Sequence, residues 1–174
     1  LATCCRVDEI SRMRWDHIDY KKRTLTIPAE YAKNKKEHTI YLSDFALKHL
    51  KALEEDRYSD WVFPNRQSDG PIHRQTLTKM VRDRQRKKAL KGRTTSNQSL
   101  IIGKAAWRPH DLRRTAATIM QELGIAPNVV MKCLNQSAYD PLIETYQRAF
   151  LIERQQEAFT LLGNHLSRLH EPAQ

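Results

Sequence analysis

The chain has few of the residues that mark fibrous, disordered or disulfide-stapled proteins. Five glycines and seven prolines in 174 residues exclude a collagen-like repeat and argue against wholesale disorder. The three cysteines are Cys4, Cys5 and Cys133, and no CxxC pair is present to hold zinc. Cys4 and Cys5 are adjacent, so a bond between them would need strained geometry. We therefore expect free thiols in a reducing, cytoplasmic compartment.

Long apolar runs are also missing. No stretch approaches the roughly 20 apolar residues of a membrane span, and the start carries no secretory signal pattern. We expect no membrane partner. The chain begins at Leu1 within an apolar stretch, which indicates a fragment of a longer protein. Its length and 40% apolar share predict one compact domain with a substantial core.

Positive charge is in excess. Thirty lysines and arginines against twenty acidic residues give a net charge of +10. Such a balance favours a polyanionic partner, and nucleic acid is the leading candidate. A membrane surface is a weaker candidate, because the basic residues do not lie opposite a continuous apolar helix face. A soluble protein that is simply cationic stays open on charge alone.

Hydrophobic periodicity predicts a mainly α fold with one small antiparallel β-sheet, an α+β domain. Alternation of apolar and polar residues predicts strands over 15–20, 24–28 and 39–42. Helical spacing, N-caps and prolines predict helices near residues 1–13, from Ser43, over 75–90, over 111–123, from Pro127, from Asp140 and over 150–169.

The same spacing predicts which helix faces are buried. The expected inward residues are Leu47, Leu50, Leu53, Leu77, Met80 and Val81. In the last helix, residues 153–156 are expected to face outward. That helix has an apolar face that must be covered, either by its own domain or by a neighbouring subunit.

One short motif has the residue types of a phosphate site. In the segment 108–115, His110 and Arg113 lie three positions apart at a predicted helix start, on one face. A helix N-terminus favours anions, and a guanidinium binds phosphate oxygens well. The alternative is a capping histidine beside surface arginines. Tyr146 has a similar ambiguity between half-buried packing and a nucleophile that attacks phosphorus.

Two other basic residues are ambiguous when taken singly. Arg6 precedes a predicted helix and has Glu9 three residues on, a spacing that also fits a weak surface ion pair. Lys33 lies on a basic turn and is equally compatible with a solvated lysine like its neighbours Lys35 and Lys36.

Taken in order, these motifs are far more specific than any one of them. The chain resembles the tyrosine recombinase (phage integrase) family, whose catalytic residues follow the order arginine, hairpin lysine, His-x-x-Arg and tyrosine. The segment 110–118 is similar to the family's central box. The segments 134–136 and 146–148 are similar to the tail of integrases from prophages and genomic islands. The resemblance runs from Arg6 to about Leu169 and implies a single C-terminal catalytic domain over residues 1–174, without the N-terminal DNA-binding domains.

The resemblance implies a role for each matching residue. Arg6 and Arg113 would bind the scissile phosphate and stabilise its transition state, and Tyr146 would attack it to form a 3′-phosphotyrosyl link. Lys33 would protonate the leaving oxygen and His110 would assist proton movement, while Glu9 would support Arg6. No metal or other cofactor is implied.

The resemblance also implies partners. These are double-stranded DNA attachment sites, a homotetramer on DNA with a monomeric isolated fragment, and an accessory DNA-bending protein. The resemblance implies that the protein, bacterial or phage-encoded, lies in the bacterial cytoplasm and associates with the nucleoid. The residues expected to contact DNA are Lys35, Lys36, Arg82, Arg84, Arg86, Lys87, Lys88 and Arg114.

Two positions depart from the family pattern. Gln136 stands where a histidine is usual; its amide can donate a hydrogen bond but cannot carry a proton, which points to a slow or altered enzyme. Cys4 replaces a usual glycine, so a different backbone turn is possible there.

Two alternative functions remain. One is an inactive integrase remnant, and the other is a helix-turn-helix-like module over 112–134 that binds DNA without cutting it. A type IB topoisomerase shares the chemistry, but the short chain and prophage-like tail argue against it.

Overall fold

The computed structural model describes residues 1–88, 90–93, 96–136 and 148–170. Three strands, β1 (Ile18–Asp19), β2 (Thr24–Ile27) and β3 (His38–Tyr41), form one sheet. The described helices are α1 (Val7–Ser11), α2 (Asp44–Glu55), α3 (Arg74–Arg84), α4 (Pro109–Glu122), α5 (Pro127–Cys133) and α6 (Arg148–His170). The predicted class, mainly α with a small antiparallel sheet, is confirmed.

The sheet is antiparallel in the order β1-β2-β3, with Leu25 opposite Ile40. Leu25, Ile27 and Ile40 are almost completely buried, as their alternation predicts. The start of the first predicted strand is wrong, because Trp15–His17 forms a 3-10 turn. The backbone N–H of Arg14 donates to Nδ1 of His17 at 3.4 Å, and this local cap favours the turn over a strand.

The middle helices begin near their predicted residues, but fewer of their apolar side chains are buried than predicted. The hydroxyl of Ser43 accepts from the N–H of Ala46 and caps α2, yet Leu53 is 43% exposed. Helix α3 ends at Arg84, short of the predicted residue 90, and Met80 is exposed instead of inward. The contact of α3 with α1 covers too little of its surface to bury both Met80 and its neighbours.

Helix α4 ends as predicted, with Gly124 in the left-handed region at φ +81°. It starts two residues before the predicted Asp111, because the carboxylate of Asp111 accepts from the N–H of Arg108 at 2.8 Å and caps the earlier turn. The start of α5 at Pro127 is confirmed. The helix predicted from Asp140 lies outside the described residues.

Helix α6 folds back on its own domain, against α2, α4, α5 and β3. Phe159 and Leu162 are fully buried in the core. The expectation that Gln155 faces outward is wrong: it is 5% exposed and its amide donates to the carbonyl of Thr39 at 3.3 Å. Removal of residues after Arg148 would therefore open the core, and we expect loss of folding from such a truncation. None of the described helices is long and apolar enough to cross a membrane.

A close helix contact gives a stability prediction at Gly163. A Cβ placed there would lie 2.3 Å from Oγ and 2.4 Å from Cβ of Ser43, the α2 N-cap. Alanine in a helix is normally about 1 kcal/mol better than glycine, but overpacking typically costs about 1–3 kcal/mol. We expect Gly163→Ala to lower the free energy of unfolding by about 1–2 kcal/mol in urea titration.

The matched control removes the clash. Ser43→Gly deletes both contacting atoms, and glycine is a tolerated N-cap that costs only a few tenths of a kcal/mol. The double variant Ser43→Gly/Gly163→Ala should be at least as stable as Ser43→Gly alone. A double variant that loses as much stability as the sum of the two single changes would contradict the clash.

Candidate active site

The first arginine is held by an acidic residue one helical turn away. The backbone N–H of Arg6 donates to Oε2 of Glu9 at 2.7 Å, and its Nη1 donates to Oε1 at 2.8 Å. The Glu9 side chain is 2% exposed, whereas that of Arg6 is 24% exposed. A buried carboxylate therefore fixes the guanidinium while part of Arg6 stays accessible; that Glu9 supports Arg6 in catalysis stays a prediction.

Arg113 is the most buried cation of the site. It is 6% exposed on the inner face of α4 and donates through Nη1 to the carbonyl of Cys4 and through Nη2 to the carbonyl of Leu134. The ion pairs of the described residues do not include Arg113. Burial lowers the pKa of Arg113 and the positive charge of Arg6 lowers it further, whereas Glu9 raises it. Two guanidiniums thus lie close enough to repel each other, and an anion between them would relieve that cost.

Helix α5 ends in a way that leaves a carbonyl for Arg113. The N–H of Gln136 donates to the carbonyl of Met131 and the N–H of Asn135 to that of Lys132, both at 3.0 Å. This is a Schellman motif, with Asn135 at φ +48° in the position that favours glycine. The carbonyl of Leu134 takes no part in that motif, so it is free to accept from Arg113.

The turn that supplies the other carbonyl keeps a glycine-like conformation. Cys4 has φ +53° and is 1% exposed. The replacement of the usual glycine therefore leaves the chain in the left-handed region, and the Cys4 carbonyl reaches Arg113. Cys4, Cys5 and Cys133 are free, as predicted. Burial raises the pKa of Cys4 to about 11, so this thiol stays protonated at neutral pH.

His110 opens onto a basic groove. It lies in the first turn of α4, is exposed, and lines a cavity of about 620 Å³ between α1, α3 and the start of α4. Arg6 lines the same cavity. The cations on its wall outnumber the one carboxylate, that of Asp8; they are Arg6, Arg74, Lys79, Arg82 and Arg108.

The remaining predicted catalytic residues lie on two loops. Lys33 is exposed at the tip of the β2–β3 hairpin, and Gln136 is exposed just after α5. The hairpin tip contacts the residue before Gln136, since Nδ2 of Asn34 donates to Oδ1 of Asn135 at 2.9 Å. Tyr146 lies outside the described residues, as does Tyr139.

The residues expected to contact DNA differ in their surroundings. Arg82 lines the groove, and Lys35, Lys36, Lys87 and Lys88 are exposed. Three arginines contact the protein itself. Arg84 donates to the carbonyl of Met80, Arg86 to the buried carboxylate of Asp83 at 3.2 Å, and Arg114 pairs with Asp111 at 3.6 Å.

Sequence reasoning missed the residue that joins α3 to α4. The amide of Gln85 donates to the carbonyl of Trp107 at 2.8 Å and accepts from its N–H at 2.9 Å. The indole of Trp107 donates to the carbonyl of Leu100. These bonds hold the chain before His110 against the end of α3 and so shape the groove. A glutamine directly before the basic run 86–88 gave no signal of this role.

No group of three or more histidines, cysteines and acidic residues that could hold a metal ion occurs in the described part of the chain.

A buried histidine behind the site makes stability depend on pH. His38, on β3, is 5% exposed, and its Nε2 has no hydrogen-bond partner among the described residues. Burial lowers the pKa of His38 to about 4, although interaction with the backbone of Cys133 and the charge of Glu9 oppose the shift. Because the pKa is lowered, the folding stability that neutral His38 contributes is fully present above about pH 6.5 and is lost as the pH falls toward 4. The wild type should lose about 3 kcal/mol over that window through this group.

His38→Gln provides the comparison, because glutamine does not titrate. The free energy of unfolding, measured in urea from pH 7 to pH 4.5, should fall more steeply for the wild type than for the variant. The other histidines are common to both proteins and cancel in the difference. Parallel pH dependences would contradict the assignment.

Arg6 and His110, from distant segments, therefore line one basic groove in a mainly helical α+β domain, and the buried Arg113 lies near Arg6. The family model described as "Phage integrase family" matches residues 1–150. This chain belongs to the phage integrase family.

The chain is similar in sequence to known prophage integrases. Prophage integrase IntA of Escherichia coli (strain K12) is 28% identical over 158 residues, covering 88% of this chain and 34% of IntA. Prophage integrase IntZ of the same strain is 32% identical over 82 residues, covering 47% of this chain and 20% of IntZ. The matched region is thus about a third of the length of IntA and a fifth of the length of IntZ.

The fold is shared with two solved structures. The integrase from mycobacterium phage Brujita aligns with TM-score 0.66 and 19% identity, covering 93% of this chain and 49% of that one. XerA recombinase aligns with TM-score 0.59 and 16% identity, covering 99% of this chain and 53% of that one. Both likenesses show that the domain has the tyrosine recombinase catalytic-domain fold.

Proposed function

We propose that this chain is the catalytic domain of a site-specific DNA recombinase that cuts and rejoins DNA through a 3′-phosphotyrosyl intermediate, and so integrates or excises a prophage or genomic island. The observation that supports the proposal is that Arg6 and His110 line one basic groove, while the buried Arg113 on the same helix as His110 lies near enough to Arg6 for its pKa to be lowered by that charge. Arg6 and Arg113 are separated by more than 100 residues of sequence. Two like charges are held together there without a carboxylate paired to Arg113, an arrangement suited to a phosphate.

The phosphate would be held before any bond changes. Arg113 uses one N–H on each terminal nitrogen for the Cys4 and Leu134 carbonyls, and its other N–H groups are available to non-bridging oxygens. Arg6, fixed by Glu9, would bind from the accessible side. Because both guanidiniums are already oriented, they stabilise the charge of the five-coordinate transition state with little reorganisation.

Strand cleavage then exchanges one phosphoester for another. The Tyr146 oxygen forms a bond to phosphorus as the bond to the 5′-oxygen breaks, and the phenolic proton passes to His110 or water. Lys33 gives a proton to the 5′-oxygen, since an alkoxide is a poor leaving group. The reverse steps on a second strand's 5′-hydroxyl rejoin the DNA. Gln136 would donate an amide hydrogen bond to the phosphate in place of the usual histidine.

The wider assembly belongs to the same proposal. The groove between α1, α3 and α4 would take the DNA backbone around the cleaved phosphate, with Arg74, Lys79 and Arg82 on its wall. We propose that further DNA-binding domains precede this one in a longer chain, consistent with its span of 34% of IntA. Recombination would use a tetramer on two duplexes at the bacterial nucleoid, with an accessory bending protein.

The test of Lys33 uses a substrate that needs no acid. A thiolate leaves without a proton, so DNA with sulfur at the 5′-bridging position bypasses general-acid catalysis. Lys33→Ala should slow cleavage of ordinary DNA by about 100-fold or more, and the sulfur substrate should restore most of that loss.

The control is Glu37→Ala on the same exposed hairpin, which should cleave both substrates at the wild-type rate. Lys33→Ala without sulfur rescue would show that Lys33 is not the acid. DNA binding without cleavage by the wild type would favour the non-catalytic module or the inactive remnant, for which Gln136 is the specific reason.

A further inference from the structure

Lys33 is exposed on the β2–β3 hairpin, and its ammonium group must be held near the phosphate if it is to act as the acid. Its side chain has four rotatable bonds and its hairpin extends ten residues between Ile27 and His38, so an unanchored tip would hold the ammonium near the phosphate only part of the time. A general acid must lie within hydrogen-bond reach of the oxygen it protonates. Ala32, directly before Lys33, is buried in the core and holds one side of the tip, so a contact on the other side of Lys33 would restrict it further.

The structure shows such an anchor in a pair of side-chain amides. Nδ2 of Asn34, next to Lys33, donates to Oδ1 of Asn135 at 2.9 Å, and Nδ2 of Asn135 donates back to Oδ1 of Asn34 at 3.5 Å. Oδ1 of Asn34 also accepts from the N–H of Lys36 at 3.2 Å, which stiffens the turn. Both amides are half-buried. The contact joins residues 101 positions apart.

The other end of this anchor is the turn that also holds Arg113. Asn135 occupies the left-handed position of the Schellman motif, directly after Leu134, whose carbonyl accepts from Arg113. At the base of the hairpin, His38 interacts with the backbone of Cys133. Three consecutive residues at the end of α5 therefore contact the base of the hairpin, the buried arginine and the hairpin tip.

We propose that Asn34 and Asn135 are positioning residues whose amide pair places Lys33 relative to the phosphate bound by Arg113. The proposal rests on the function proposed above. Because Arg113 and the hairpin tip are both fixed to the end of α5, the distance between the acid and the bound phosphate is set by a single short turn. Asparagine suits position 135 because it tolerates positive φ and also supplies the amide, which glycine lacks.

The test separates positioning of the acid from stability. Asn135→Gly places the residue most favoured at a left-handed C-terminal position and removes the amide. The melting temperature should change little, because the relief of positive φ offsets the lost hydrogen bonds. Cleavage of ordinary DNA by the complete recombinase should slow by about tenfold. Cleavage of the 5′-bridging sulfur substrate should stay within twofold of wild type, because that substrate needs no proton.

A second variant and a double variant complete the test. Asn34→Ala should show the same pattern and be the slower of the two, because it also removes the oxygen that accepts from the N–H of Lys36. Asn34→Ala/Asn135→Gly should be no slower than Asn34→Ala, because both changes break the same amide pair. Glu37→Ala is the control and should match wild type on both substrates.

The possible results distinguish this proposal from the proposed function. Suppose that the sulfur substrate rescues Lys33→Ala, but the asparagine variants cleave both substrates equally slowly or cleave both at the wild-type rate. The positioning role is then overturned and the recombinase mechanism stands. If Lys33→Ala is not rescued, the acid itself is wrongly assigned. Asparagine variants that cleave ordinary DNA slowly but cleave the 5′-bridging sulfur substrate at the wild-type rate support the proposal.

Discussion

Arg113→Lys is expected to slow DNA cleavage by two orders of magnitude or more, although the positive charge is kept. Lysine lacks the planar fork that reaches the carbonyls of Cys4 and Leu134 while leaving N–H groups for a phosphate. Loss of one such donor set is worth on the order of 3 kcal/mol of transition-state stabilisation. Single-turnover cleavage of a nicked suicide substrate, at saturating protein, measures the effect.

The matched control is Arg154→Lys on α6, where the arginine is half-exposed and pairs with Glu157 at 2.9 Å. It should cleave within twofold of wild type. Part of the Arg113→Lys loss could come from unfolding, since the variant leaves two buried carbonyls without their donor. Circular dichroism at the assay temperature separates the two effects. A folded Arg113→Lys protein with a normal cleavage rate would contradict the role given to Arg113.

The arrangement around Arg113 also shows how far sequence alone reaches. The spacing of His110 and Arg113 places both on one face of a helix, and Gly124 and Pro127 mark where α4 ends and α5 begins. These are local rules, and the structure confirms the helix boundaries, while it places His110 exposed in the groove and Arg113 buried. The partners of Arg113 lie 109 and 21 residues away, and no spacing rule links them to it.

Burial was predicted less well than helix position. Met80 is exposed because α3 packs mainly on the short helix α1, and Gln155 is buried because α6 lies across β3, where the Thr39 carbonyl accepts from it. Helical periodicity gives the angle between side chains but not the number of neighbouring elements around a helix. The Asn34–Asn135 pair was missed for a related reason, since two polar loop residues carry no apolar signal.

Tyr146→Phe is expected to abolish the covalent protein–DNA adduct while DNA affinity stays within a few-fold of wild type. The change deletes only the oxygen that would bond to phosphorus and keeps the aromatic ring. Denaturing gel electrophoresis with the suicide substrate reads the adduct, and a mobility-shift titration reads binding. Tyr139→Phe is the matched control and should still form the adduct. An adduct that persists in Tyr146→Phe and disappears in Tyr139→Phe would move the nucleophile to Tyr139.

The central claim is that this member of the phage integrase family cleaves DNA by covalent attachment, despite the glutamine at position 136. Mass spectrometry of the complete recombinase, trapped on a nicked suicide substrate and digested with protease and nuclease, tests it directly. We expect a 3′-phosphonucleotide attached to the peptide that contains Tyr146, formed without added metal. A protein that binds the substrate tightly but yields no modified peptide, or one modified at another residue, would contradict it.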